Sequence, residues 1–394
     1  MVAPLPTAFE VTDVEQEIER IVSKYQGLGI DGVISTDDYP GSTLASIIAE
    51  RFGLPGVPPR ADLVCQHKYH ARIAQRTAVA EAVPEFELLG SECRSANLRF
   101  PFFIKPVKSF FSIGAYRIDD ELSLHKLGKL GTLPERFFAP FRILFEKYTG
   151  LDFGAGRVLA ETLLEGVQAT FEGYIHAGKL YATGVVDSIM FPGTLAFQRF
   201  QYPSSLPASV QTKIAEIAAE VMHKIGFNNG IFNIEFMYNR SRDTIHIIEI
   251  NPRMASQFAD LFEKVDGFNT YSILLDLALD RQPAVKRRQG KYSMAASCVL
   301  RLFEDRHILK IPTPAEIALL MKKFPDARVE ILADEGKKLS QQLQDGHSYR
   351  YGVVSIGGQD MNDILNNFEQ FRSELPFVME PVELPRERVS QHSG

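Results

Sequence analysis

Two short apolar runs, Gly230-Ile-Phe-Asn-Ile-Glu-Phe236 and Ile245-His-Ile-Ile-Glu-Ile-Asn-Pro-Arg253, each carry a glutamate inside what otherwise reads as a buried strand. The polar segment Asn239-Arg-Ser-Arg-Asp243 between them has turn composition, so the chain is expected to double back and set Glu235 beside Glu249. Two such carboxylates repel each other and resist desolvation, which calls for a cation between them. Magnesium suits the pair: it takes oxygen ligands, keeps its waters, and is commonly shared between one or two carboxylates and a nucleotide's phosphates. Asn251 adds a neutral oxygen, and Arg253 adds a planar fork of donors for phosphate or carboxylate. An amphipathic hairpin with two solvated acids is the alternative that this segment alone leaves open.

The chain's 394 residues exceed one ordinary core and point to two or three domains. A net charge of -6 and a pI near 5.9 give no broad basic field for a nucleic-acid backbone, so phosphate binding is expected to be local. No apolar run approaches the ~20 residues that span a bilayer, and Met1-Val-Ala-Pro-Leu-Pro6 has neither a basic leader nor an apolar core. Three widely separated cysteines, Cys65, Cys93 and Cys298, argue against a disulfide framework or a zinc cluster and suit buried thiols in a reducing cytoplasm.

The N-terminal segment alternates strand and helix. Strands are expected at Ala8–Thr12 and Gly32–Ser35, and helices over Val14–Tyr25 and Ser42–Phe52, which is the grammar of a parallel α/β sheet. Asp37 and Asp38 then fall at a strand's carboxyl end, either where such sheets bind ligands or as an acidic helix cap. Ala61–Ala82 reads as one helical stretch with Lys68, Arg72 and Arg76 four residues apart on one face, for which a solvated basic surface is the plain reading. His67 and His70, lacking further ligands, are expected at the surface. Thr170–Ile175 and Lys179–Val186 read as strands turning at His176-Ala-Gly178, and Asp187–Pro207 as a long irregular loop carrying Arg199. A strand over Ser293–Phe303, the run Arg350–Gly358 and a helix to about Phe371 close the pattern, and residues after Val378 are expected to be disordered.

The Glu-Ile-Asn-Pro-Arg run, preceded fourteen residues earlier by a glutamate in its own strand, resembles the metal-binding end of the ATP-grasp superfamily. Phe102-Phe-Ile-Lys-Pro106 resembles the strand whose lysine holds nucleotide phosphates. Val158-Leu-Ala-Glu-Thr-Leu-Leu-Glu-Gly166 resembles the hinge that grips adenine. Gly53-Leu-Pro-Gly56 followed by Lys68 resembles the junction where the first nucleotide lysine appears. These segments come in the family's order from about residue 50 to residue 255.

The resemblance implies an α/β (α+β) ATP-grasp fold. A short N-terminal α/β domain with its linker helix would occupy residues 1–85. The nucleotide-gripping pair of α+β subdomains would span 86–290, with a lid over about 100–165. A small closing domain would follow at 291–378, then a tail at 379–394. It also implies site roles. Lys68 and Lys105 would neutralise phosphates, Glu161 with the backbone at Thr162 and Leu164 would hold adenine, and Gln168 would meet the ribose where related ligases carry glutamate. Glu235, Glu249 and Asn251 would bind magnesium, with manganese as the alternative ion, and Arg253 would act on the transferring group. The lid segment Pro106–Gly114 is poor in glycine, with Lys108, Ser109, Phe110, Phe111 and Ser112 where the family wraps phosphates with bare backbone.

The implied activity is a ligase that joins a small-molecule carboxylate to an amine with ATP, through an acyl phosphate. Two alternatives stay open. One is a biotin-carboxylase-like enzyme that activates bicarbonate. The other is a noncatalytic ATP-binding regulator, which the glycine-poor lid, Gln168 and the short first domain would suit. A homodimer is the candidate assembly.

Overall fold

The computed structural model describes residues 13–90, 96–109, 114–130, 135–342, 344 and 348–382. It opens with helices α1 (Val14–Tyr25), α2 (Gly41–Phe52), α3 (Pro59–Gln66) and α4 (Lys68–Ala78). Asp13 caps α1 by accepting from the Gln16 N–H at 2.9 Å, and Val14 and Ile18 form its buried face. The chain leaves α2 through Gly53, whose φ of +65° closes the helix in the left-handed region.

The expected strand at Gly32–Ser35 does not form. Its expected neighbour Ala8–Thr12 lies outside the described residues, and Gly32–Ser35 runs without a ladder. It is instead pressed against a later helix so closely that a Cβ on Gly32 would lie 2.9 Å from the Ala278 carbonyl oxygen.

The single helix expected over Ala61–Ala82 is two helices and a short 3-10 turn, broken at His67. His67 ends α3 and caps α4, its ring accepting from the His70 N–H at 3.3 Å. The freed Lys68 N–H donates to the Val107 carbonyl at 2.8 Å, which ties the first turn of α4 to the residue that follows the strand Phe102–Pro106.

A four-stranded antiparallel sheet follows, ordered β1 (Phe86–Leu89), β4 (Val158–Thr162), β2 (Phe102–Pro106), β3 (Tyr116–Ile118). Helices α5 (Glu121–Leu130) and α6 (Glu135–Thr149) lie between β3 and β4 in sequence. Phe141, Leu144 and Phe145 of α6 pack with Val14, Ile18 and Phe153, so the lid sheet's helix shares a core with the N-terminal helices.

The larger sheet has eight strands among the described residues, and β7 (Phe197–Tyr202), β6 (Lys179–Met190), β5 (Val167–His176), β8 (Gly230–Asn239) and β9 (Thr244–Asn251) form one end of it in that order, with β9 at the edge. Helix α7 (Ala208–Ile225) buries Ile214, Ala218 and Val221 against Phe171, Phe232 and Phe236. Helices α8 (Ser256–Asp266) and α9 (Thr270–Ala278) bury Phe258, Phe262 and Ile273 with Tyr174 and Ile231 in a second cluster. Residues on opposite faces of β5, β6 and β8 thus feed different cores.

The sheet continues through β10 (Met294–Leu302), then, past β11 (Arg306–Lys310) and α10 (Pro314–Lys323), through β12 (Arg328–Ile331) and β13 (Tyr349–Gly358). Helix α11 (Met361–Glu374) packs on β10 and β13. β14 (Val378–Pro381) pairs with β11, so the expected disorder does not begin at Val378; residues 383–394 lie outside the described residues. Among the described residues no helix is long and apolar enough to cross a membrane.

Two sequence expectations changed by the sheet bear on the site. Asp187–Pro207 is not an irregular loop: β6 runs on to Met190, and β7 pairs with β6 on one side and β10 on the other. The hairpin turn expected at Asn239–Asp243 is present, with the Asn239 side chain accepting from the Ser241 and Arg242 N–H groups at 3.1 Å each.

Candidate active site

Glu235 and Glu249 are register partners on the β8–β9 ladder, as are Asn233 and Asn251 two residues along. Directly opposed residues point to the same face, so this face gathers two carboxylates and two amides. Gln168 of β5 donates to Glu235 Oε2 at 2.9 Å, and Asn251 Nδ2 lies 3.0 Å from Asn233 Oδ1 and 3.4 Å from Glu235 Oε1. Lys68 reaches in from α4, its Nζ 2.7 Å from Glu249 Oε2. Burial, and then the charge of Glu249, push the Glu235 carboxyl above the usual range. Burial would push Glu249 the same way, but the Lys68 and Lys105 ammonium groups hold it low.

This donor set fits a divalent cation. Glu235 and Glu249 stand directly opposed on one face beside the Asn251 amide, and a hard cation between the two carboxylates would relieve both their burial and their repulsion. No group of three or more His, Cys, Asp or Glu that could hold a metal ion is found among the described residues; Glu235, Glu249 and the Asn251 amide are the groups that would hold magnesium here.

A second ionic cluster lies on the four-stranded sheet. Glu161 of β4 is buried between Lys105 Nζ, at 2.6 Å from Oε2, and the Arg72 guanidinium, which bonds Oε1. Arg72 also donates to the Ile248 carbonyl at 2.8 Å and to Gln75. Burial alone would raise Glu161, but the two cations hold its carboxyl down at about 2. Burial lowers Lys105, with Glu161 opposing.

The basic face expected on α4 therefore divides. Lys68 points to Glu249, Arg72 is buried at Glu161, and Arg76 stacks over the Phe86 ring at 4.7 Å. The i, i+4 spacing identified these side chains but carried no sign of Arg72's burial. Thr162 closes the cluster's strand, its N–H donating to the Glu85 carbonyl at 3.0 Å, and Leu164 follows in the connection to β5. Gln168, implied at the ribose, is placed against the Glu235 carboxylate.

Arg253 follows β9, and its Nη2 meets Asp38 Oδ2 at 3.2 Å. Burial opposes ionisation of Asp38, yet Lys108 and Arg253 keep its carboxyl below the usual range. Lys108 is itself buried, donating to Gln66 Oε1 at 2.8 Å and sitting 5.3 Å and 5.0 Å from the Tyr39 and Phe141 ring centres; burial pushes its ammonium down to about 8. Asp62, bonded by Thr43 at 2.7 Å, is pushed up to about 6 by the same burial. Phe110, Phe111 and Ser112 lie outside the described residues.

His67 is not a surface residue as expected. It is 1% exposed, packs against Phe145 at 4.6 Å, bonds the Phe153 carbonyl at 2.9 Å, and is pushed down to about 3 by burial. His70 bonds the Asp152 carbonyl at 2.8 Å beside it. Cys65 and Cys298 are buried thiols, both raised by that burial, and Cys93 lies outside the described residues.

Beside Glu235, Asn251 and Arg253 opens a cleft of about 540 Å³, walled by Phe197, Phe200, Phe258, Arg328 and Arg350. β7 contributes its phenylalanines to that wall. Arg199 turns to its neighbours Gln198 and Gln201, at 2.7 Å and 3.1 Å.

One buried group escaped the sequence reading. Glu172 of β5 is 0% exposed, accepts from the Ala255 N–H at 2.7 Å through Oε2, and is pushed up to about 8 by burial, with that N–H and Arg253 opposing. A glutamate inside the apolar run Thr170–Ile175 is the same signal that marked Glu235.

Residues 98–260 match the model of the ATP-grasp domain. The chain superposes on the L-amino acid ligase of Bacillus licheniformis with a TM-score of 0.72 and 17% identity, over 95% of this chain and 86% of that one. Its TM-score to the biotin carboxylase of Campylobacter jejuni, solved as a β,γ-ATP complex, is 0.63 at 16% identity, over 92% and 78% of the two chains. In sequence it is 24% identical over 338 residues to the urea amidolyase of Saccharomyces cerevisiae, covering 82% of this chain and 17% of that protein. The chain thus spans about a sixth of the length of the curated relatives it matches. The chain has the ATP-grasp fold, with an ATP-grasp domain at its centre.

Proposed function

We propose that this ATP-grasp protein is an ATP-dependent ligase that joins a small-molecule carboxylate to an amine through an acyl phosphate, releasing ADP and phosphate. The observation that carries the reading is the opposed pair Glu235 and Glu249, with Asn251 and Arg253 on the same strand end, at the mouth of a ligand-sized cleft. A carboxylate is a poor acyl donor because oxide would have to leave. If its oxygen first attacks the γ-phosphorus of ATP, ADP departs and phosphate becomes the leaving group for the amine.

Such a transfer needs in-line placement and charge neutralisation more than covalent help from the protein. Glu235, Glu249 and Asn251 would hold magnesium, which would supply positive charge against the charge developing on the transferred phosphoryl group. Lys68 sits 2.7 Å from Glu249, within reach of any phosphate that a metal there would bind. Lys105 and the strand end at Glu161, Thr162 and Leu164 would take the rest of the nucleotide. Arg253 would leave Asp38 to meet the transferring group or the acyl phosphate. The aromatic wall of Phe197, Phe200 and Phe258 suits an acid with an apolar body, oriented by the arginines of the same cleft.

A second reading, activation of bicarbonate, is supported by the likeness to biotin carboxylases. Magnesium-dependent ADP release measured against a panel of organic acids and bicarbonate tests both. Stimulation by an organic acid with an amine supports the ligase. Stimulation by bicarbonate alone selects the second reading, and release indifferent to any acid overturns both.

A further inference from the structure

Glu172 and Asn233 form a second opposed pair on the polar face of the large sheet, across the β5–β8 ladder. Asn233 lies two residues before Glu235, and Glu172 two residues after Thr170, the partner of Glu235, so all four side chains share that face. Each member of this pair also holds a backbone group of the segment after β9. Asn233 Nδ2 donates to the Arg253 carbonyl at 3.0 Å, and Glu172 Oε2 accepts from the Ala255 N–H at 2.7 Å. The turn Pro252–Ala255, which carries Arg253 between β9 and α8, is thereby tied down on both sides of Met254.

The ladder is shaped for this. Between β5 and β6 the register shifts after Glu172, leaving Thr183 without a counterpart, and its hydroxyl donates to the Glu172 carbonyl at 2.5 Å. Such a bulge re-aims the side chain beside it. Glu172 Oε1, meanwhile, is buried and has no hydrogen-bond partner among the described residues. An unsatisfied buried oxygen is costly, and an apolar side chain of the same size would avoid it. What an apolar side chain lacks is the acceptor for Ala255.

We propose that Glu172 is a positioning residue, acting through the Ala255 N–H to fix the Pro252–Ala255 turn and with it the direction of the Arg253 guanidinium. This rests on the reading of Arg253 as the group that meets the transferring phosphate. Losing the tie lets Arg253 swing within its pairing with Asp38, so the chemical step suffers while nucleotide binding, made by Lys68 and Lys105, does not.

The test compares Glu172→Met, which keeps the volume and removes the acceptor, with Glu172→Gln, which keeps an acceptor oxygen. Ala255→Pro, which removes the donor instead, serves as an independent variant should Glu172→Met not fold. The expected result is a kcat for ADP release lower by ~10–100-fold in Glu172→Met and Ala255→Pro, the scale of a lost supporting contact, with KM for ATP within about threefold and near-complete recovery in Glu172→Gln. Wild-type kcat in the first two overturns the proposal, as does an equal loss in Glu172→Gln. Amide exchange over residues 252–256 provides a readout that needs no substrate: it should quicken in Glu172→Met and return in Glu172→Gln, and unchanged exchange overturns the proposal. If the wild type releases no ADP with any acid, the ligase reading fails while the exchange result still decides the positioning role.

Discussion

Glu235 and Glu249 face each other directly, and the ladder bulges immediately beyond them: Phe236 pairs with Ile247, so Ile248 has no counterpart. The carbonyl of this Ile248, on the edge strand, takes the Arg72 guanidinium at 2.8 Å. Arg72 in turn holds Glu161, the partner of Lys105, so one guanidinium links the strand that carries Glu249 to the buried Glu161–Lys105 pair.

The acid pair gives the first prediction. Glu249→Gln keeps the shape of the side chain and removes one charge, so magnesium-dependent ADP release should fall by at least ~100-fold while the protein unfolds near the wild-type temperature. Turnover at the wild-type rate would remove Glu249 from the metal site.

Lys105 and Glu161 separate binding from stability. Lys105→Ala should weaken ATP by on the order of 10-fold, the scale of a charge-assisted contact, and titration calorimetry with unchanged affinity would take the lysine out of the nucleotide site. Glu161→Ala leaves the buried Arg72 and Lys105 without their anion. It should cost about 3–5 kcal/mol in denaturant unfolding, and a loss below about 1 kcal/mol would mean that water reaches the cluster.

Glu172 sets the sign of a pH effect. Its carboxyl is raised from an ordinary 4.5 to about 8 in the fold, so the native state binds the proton more tightly than the unfolded chain. Its contribution to stability is complete below about pH 4.5 and is lost as pH rises towards 8, at up to about 1.4 kcal/mol per pH unit. Asp62, raised to about 6, adds the same sign over a lower window. Glu172→Gln should therefore gain on the wild type as pH rises from 5 to 8 in urea titrations; parallel stability curves would contradict the raised carboxyl.

Much of the site was legible because its signals are local. An acid inside each of two apolar runs, with a polar turn between, is enough to place Glu235 opposite Glu249, and α1 has the bounds that its periodicity gives. The surprises are contacts between distant segments. Nothing near His67 announces that Phe145 and Phe153 will enclose it. β7 looked irregular between its prolines because the strand that completes it, β10, comes about a hundred residues later. Glu172 carried the Glu235 signal, but its partner, the Ala255 N–H, belongs to a backbone turn that no side-chain pattern records.

The lid supplies a prediction about motion. Lys108 ties the segment's start to Gln66 at 2.8 Å, and the following residues carry two phenylalanines where backbone amides would otherwise wrap phosphate. Amide exchange over residues 106–114 should slow when magnesium and a nonhydrolysable ATP analogue are added, as lids that exclude water generally do, and Ser112→Pro should weaken that protection. Exchange indifferent to nucleotide would remove this segment from the phosphate site.

The central claim, that a carboxylate is phosphorylated by ATP, is tested most directly by trapping. Incubated with ATP, magnesium, hydroxylamine and a panel of carboxylic acids, the protein should convert at least one acid to its hydroxamate, with ADP and phosphate formed in equal amounts and neither formed by Glu249→Gln. Formation of AMP and pyrophosphate would contradict the account, as would ADP released at the same rate with and without every acid and no hydroxamate from any of them.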